Sequence, residues 1–116
     1  MIYTVILKDY ESKKVPRGYK IYNISDIKIN NLEDSKLLQL PKLYLSKFNQ
    51  EQISKDELEE QYFRKLDSRG QHLISVDYNN CMLVCDCNTY RHKNNCPISY
   101  LKKYMLLKNS KVEKFF

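Results

Sequence analysis

Glycine is almost missing from this chain: Gly18 and Gly70 are the only two among 116 residues, too few and too far apart to build a loop that cradles a phosphate. Alanine and tryptophan do not occur. No apolar run reaches the roughly 18 residues that a membrane-crossing helix needs. The opening stretch MIYTVILKDYESKK lacks the basic start and small-residue cleavage site of a secretory leader. These absences lead us to expect a soluble, intracellular, cytoplasmic protein with no membrane partner. Histidine is confined to His72 and His92, and no serine, threonine or cysteine stands in a nucleophile motif with a paired base, so a non-enzymatic protein is expected. His72 reads as a surface or edge residue.

What is abundant points elsewhere. Lysine far outnumbers arginine, and asparagine, isoleucine and tyrosine are frequent, a bias that fits AT-rich codon usage such as that of a virus, a plasmid or an AT-rich microbe. If the chain is viral, its place of action is the host cell. Charge is unevenly spread: residues 1–87 hold 13 Lys and Arg against 13 Asp and Glu, while residues 88–116 hold 7 against the single Glu113. The whole net charge of +6 therefore sits in the last quarter. A basic surface of this kind suits a polyanion, with nucleic acid first in line. A solvated lysine-rich tail is the competing reading.

The length suits one ordinary domain with a modest core, with a possible smaller sub-unit. Ile2 to Leu7 and Tyr19 to Ile29 are β-prone, with Val15-Pro16-Arg17-Gly18 as a turn between them, and the two are expected to pair. Leu37 to Phe48 is apolar but broken by Pro41, which leaves an edge strand and an irregular packing segment both open. Ser54-Lys55-Asp56-Glu57 is a capping box, and Leu58, Tyr62, Phe63 and Leu66 follow at helical spacing, so a helix is expected to run to about Ser68 to Gly70. His72 to Tyr78 and Cys81 to Cys87 flank Asn79-Asn80, which reads as a β-hairpin. From about Cys96 to Leu107 a second helix is expected, with Pro97 in its first turn and Ile98, Leu101, Met105 and Leu106 on one face. The expected fold class is α+β. It has a β-rich part with one central helix over residues 1–70, then a hairpin-plus-helix unit over residues 71–116.

All four cysteines, Cys81, Cys85, Cys87 and Cys96, fall within sixteen consecutive residues. A tight cluster beside a histidine marks a metal more often than a disulfide frame, which ties distant segments together. Zinc takes four such ligands tetrahedrally, and Cys85-x-Cys87, His92 and Cys96 offer a strand end, a loop and a helix start from which to supply them. Alternate strand residues point the same way, so Cys85 and Cys87 need only a local bend to share an ion. A thiolate is also favoured at a helix start, where Cys96 stands. Cys81 lies about 13 Å along the strand from Cys85, too far for the same ion. Reduced structural cysteines are the competing reading, and a Cys-x-Cys disulfide a third.

The order of hairpin, Cys85-x-Cys87, Tyr90, polar loop, Cys96-Pro97 and amphipathic helix resembles the SWIM zinc finger over about residues 72–107. That family's pattern is Cys-x-Cys, a spacer, then Cys-x-His. The resemblance implies that Cys85, Cys87 and Cys96 are the first three ligands. The final histidine position holds Ile98, and His92 in the spacer is its natural substitute. It also implies DNA binding or protein interaction as the function. A closed four-ligand zinc is structural, with no open position for substrate. Pinning the loop would hold Tyr90, Arg91 and Lys93 on a rigid tip beside Tyr100 and Lys103, expected to face outward, and Lys102 at the boundary. Tyrosines interleaved with basic residues suit base stacking and phosphate contact, with DNA ahead of RNA. Three thiolates and one zinc ion would add only about one negative charge, leaving this end basic. The other reading is a protein-interaction module, or inhibitor of a host complex, that uses Tyr3, Tyr10, Tyr19, Tyr22 and Tyr44.

Overall fold

The structure is a computed structural model that describes residues 1–86, 96–107 and 112–115. In chain order its elements are β1 (Ile2–Ile6), α1 (Leu7–Ser12), β2 (Lys20–Asn23), β3 (Glu33–Asp34), α2 (Lys42–Asn49), α3 (Lys55–Asp67), α4 (Gln71–Asp77), β4 (Cys81–Cys85), α5 (Pro97–Leu106) and β5 (Val112–Lys114). Among the described residues, helices and strands are thus mixed, and the five strands form one sheet in the order β3-β2-β4-β1-β5. Every pairing in that sheet is parallel.

Parallel sheets persist where both faces are covered, and their inner strands are correspondingly apolar throughout. The middle strand β4, of sequence CMLVC, is buried at all five positions. Its alternate side chains enter two cores. Leu83 and Cys85 join Ile2, Leu58, Tyr62, Leu66, Ile74, Leu101 and Met105 under α2 to α5. Met82 and Val84 join Val5 and Ile29, with Leu7 and Tyr10 of α1 packed against them. The crossover from β1 to β2 runs one way along the sheet and carries α1 on one face. Those from β3 to β4 and from β4 to β5 run the other way and carry α2 to α5 on the opposite face. Crossovers of a single hand require this division.

The hairpin expected over residues 72–87 does not form, because His72–Asp77 lies in α4. Both edges of β4 are occupied, by β1 and β2, leaving no edge for a hairpin partner. Gln71 and Ile74 are buried at helical spacing, whereas Leu73 and Val76 stay exposed. The Asn79-Asn80 turn is present, with Asn80 at φ 57°, but it joins a helix to a strand. The expected pairing of the first two strands is likewise replaced by insertion of β4 between them. Leu37 to Phe48 is neither strand nor irregular throughout: Pro41 stands at the N-cap of α2, where a missing N–H costs nothing.

Two local signals are met. The Ser54 hydroxyl accepts from the Glu57 N–H at 3.2 Å, and α3 buries Leu58, Tyr62 and Leu66. Ser54→Ala is expected to cost about 1 kcal/mol of stability in urea unfolding, with Ser54→Gly recovering most of it. Pro97 opens α5, which buries Ile98, Leu101 and Met105 as expected. Leu106, expected on the same face, is instead exposed.

Candidate metal centre

In an open parallel sheet, ligands gather at the carboxyl ends of two neighbouring strands whose onward connections diverge. Here β2 leads outward to β3 and β4 leads the opposite way to β5, so the crevice lies between the ends of β2 and β4. Asn23 ends β2 and Cys85 ends β4. The Ile24 N–H donates to the Val84 carbonyl at 2.9 Å, which fastens the turn after β2 to the end of β4. Asn23 is fully buried and organises that turn. Its amide accepts from the Ser25 N–H at 2.9 Å and donates to the Ile27 carbonyl at 2.7 Å and to an Asp34 carboxylate oxygen at 2.9 Å. Asp26, in the middle of the turn, is thereby held close enough to act electrostatically on Cys85.

Across the crevice, Cys96 caps α5 with extended backbone, and Pro97 occupies the first turn. The Cys96 and Cys85 sulfurs are 4.0 Å apart. With zinc–sulfur bonds of about 2.3 Å, two thiolates on one tetrahedral ion lie about 3.8 Å apart, so the pair is spaced for a shared ion. Burial pushes the Cys85 thiol well above its usual range, and the carboxylates of Asp86 and Asp26 push it further. A cation in the crevice would reverse both effects, because it stabilises the thiolate and is itself favoured by the carboxylates. In the structure Cys85 is a free thiol.

The remaining proposed ligands, Cys87 and His92, lie outside the described residues, as do Tyr90, Arg91 and Lys93. Among the described residues no group of three His, Cys, Asp or Glu side chains is placed to hold a metal. Cys81 is buried at the far end of β4, its sulfur within 3.9 Å of the Asp77 and Asn79 carbonyls. His72 is exposed on α4. Ile98, at the position of the resembled family's final ligand, packs in the core.

Tyr100 departs from expectation: it is only 5% exposed and its ring meets that of Tyr62 edge to face. The reason is that α5 is covered by the sheet and by α3, so its buried face widens to take in Tyr100 and Tyr104. The Tyr100 phenol is pushed up to about 12, by burial first and then by Glu59 and Asp56. Lys103 is exposed as expected, but it pairs with Glu59 at 2.8 Å. Lys102 is half-buried, at the boundary. Two residues that sequence reasoning passed over, Asp26 and Asp86, are those whose charge reaches Cys85. Asp86 had a signal, its place between two cysteines, and Asp26 had none.

No known protein family, curated protein or solved structure matches the chain. No described helix is long and apolar enough to cross a membrane.

Proposed function

We propose that this protein is a zinc-stabilised nucleic-acid-binding or regulatory module rather than an enzyme. Its metal ties the carboxyl end of the middle strand to the start of the last helix. Cys85 and Cys96 would supply two ligands, and Cys87 and His92, as the SWIM resemblance and the spacing suggest, the other two. The observation that carries the reading is the 4.0 Å separation of the Cys85 and Cys96 sulfurs at the crevice between β2 and β4. A closed site of this kind supplies folding energy and no chemistry of its own. What the chain's residues do there is hold the last helix against the sheet and anchor the segment that carries the net positive charge. Burial of Tyr100 and the Lys103–Glu59 pair shift the expected phosphate and base contacts away from those two residues, toward Tyr90, Arg91, Lys93 and Lys102.

Metal analysis of protein purified under reducing conditions without added zinc tests this. About one zinc per chain is expected in the parent and in Cys81→Ser, with loss in Cys85→Ser and Cys96→Ser. A metal-free parent would end the reading. DNA affinity should fall steeply with salt and collapse when Arg91, Lys93 and Lys103 are neutralised together, Arg91 and Lys93 contributing most. A partner bound without salt dependence, and no DNA shift, would favour the protein-interaction alternative.

A further inference from the structure

We propose that the cleft beside the last turn of α1 binds a nucleotide, free or as one unit of a single-stranded nucleic acid, with its base against Tyr10 and Tyr19 and its phosphate on Arg17. The site lies apart from the metal crevice, on the other face of the sheet and at the amino end of β2. It stands without the zinc.

The cleft forms where the chain doubles back between β1 and β2. Helix α1 ends at Ser12, the Lys13 N–H donates to the Asp9 carbonyl at 2.9 Å, and the Lys13 ammonium lies 3.7 Å from the Asp9 carboxylate. Residues 13–19 then return to β2 through a turn at Gly18, whose φ of 100° is a conformation that glycine adopts without strain. A cleft of about 530 Å³ is left between the helix and this segment, within the roughly 300 to 1,000 Å³ typical of small-ligand sites. Val15 and Ile21 line its apolar part and pack against the cluster of Val5, Met82 and Val84.

The remaining groups select the ligand. Tyr10 and Tyr19 are half-buried in the lining. Tyr19 is held by edge-to-face contacts with Tyr3 at 5.7 Å and Phe115 at 5.6 Å, so it is placed in advance and loses little freedom on binding. Arg17 is exposed and makes no hydrogen bond or ion pair among the described residues. Glu11, also exposed, makes none either. An unpaired guanidinium in an aromatic cleft suits a phosphate, which it grips through two N–H groups, while a base stacks on tyrosine. The Glu11 carboxylate is then an acceptor for a base amino group or a sugar hydroxyl. An uncharged aromatic ligand would leave Arg17 unused, and a polyphosphate would meet repulsion at Glu11. A nucleotide satisfies all four side chains.

The test is an amide NMR titration of the full chain with adenosine monophosphate, adenosine and ribose phosphate, beside fluorescence anisotropy of a labelled single-stranded oligodeoxyadenylate of about eight nucleotides. The monophosphate is expected to shift amides of residues 10–21 and to bind about tenfold more tightly than either fragment. Arg17→Gln should weaken the monophosphate about tenfold and leave adenosine unchanged. Because Arg17 is exposed and unpaired, the melting temperature of this variant should match the parent's. Tyr10→Leu should weaken both ligands about tenfold. An oligomer that binds more tightly than the monophosphate assigns the cleft to a single strand, and equal binding assigns it to a free nucleotide. Adenosine binding as tightly as its monophosphate, Arg17→Gln binding like the parent, or shifts confined to other residues would overturn the inference. Loss of monophosphate binding when Arg91, Lys93 and Lys103 are neutralised together would also overturn it and leave the proposed function standing. A metal-free parent that still binds the monophosphate here would end the zinc reading alone.

Discussion

Leu83→Ala is expected to lower the unfolding free energy by about 3 to 5 kcal/mol, in the upper part of the range for buried leucine truncations. Leu83 is 0% exposed and sits at the centre of the middle strand, flanked in register by Thr4 on β1 and Tyr22 on β2. Paired on both sides, the strand cannot shift to fill the cavity. The truncation would therefore keep both its transfer cost and its void cost. Chains of this size hold about 5 to 15 kcal/mol in total, so the loss is a large share of the whole. Urea unfolding followed by far-UV circular dichroism should show a lower midpoint with an unchanged slope. The matched control is Leu107→Ala, at a side chain that is 68% exposed, which should move stability by no more than about 0.5 kcal/mol. A loss below about 1 kcal/mol at Leu83 would mean that β4 is not the doubly covered strand described above.

Where a signal is local, the sequence carried it. The Ser54 cap, the start of α5 at Pro97 and the turns at Gly18 and Asn80 depend on neighbours a few residues away, and all are present. The sheet was illegible for the opposite reason. Each of its pairings joins segments distant in sequence, and a short apolar run such as His72 to Tyr78 suits a buried helix as well as a strand. What decides the matter is that β1 and β2 already occupy both edges of β4, which no window around residue 75 can show. The same division runs through the site. That Cys85 lies on a strand and Cys96 at a helix start was legible, because both are local events. Asp26 was not, since it reaches Cys85 only through the alignment of β2 with β4. Tyr100 was misread because the wheel of one helix shows which residues are apolar, while the width of the buried face depends on what covers it. Here α3 and the sheet cover α5 together.

Asn23 is where the next largest effect is expected, because it is the polar residue that shapes the carboxyl end of β2. Asn23→Ala removes the acceptor of the buried Ser25 N–H and one donor to the Ile27 carbonyl, which keeps a bond from the Ser25 hydroxyl at 3.1 Å. An orphaned donor at the buried Ser25 makes a loss of about 1 to 3 kcal/mol the expected result. Asn23→Asp separates the two halves of the network. It keeps the acceptor for Ser25 but places a carboxylate where the amide nitrogen now stands, 2.9 Å from an Asp34 oxygen. Two carboxylates so close cannot both ionise cheaply, so one is held protonated to higher pH in the folded state than in the unfolded chain. A folded pKa raised in this way favours the fold below the unfolded carboxylate pKa, an advantage lost as pH rises through the folded one. Asn23→Asp should therefore be closer to the parent at pH 4 than at pH 7, the gap widening by about 1.4 kcal/mol for each unit by which the pair is raised. Urea unfolding of parent and variant at the two pH values measures the difference directly. An equal deficit at both would show that Asn23 and Asp34 do not face each other, and the turn that holds Asp26 beside Cys85 would need another account.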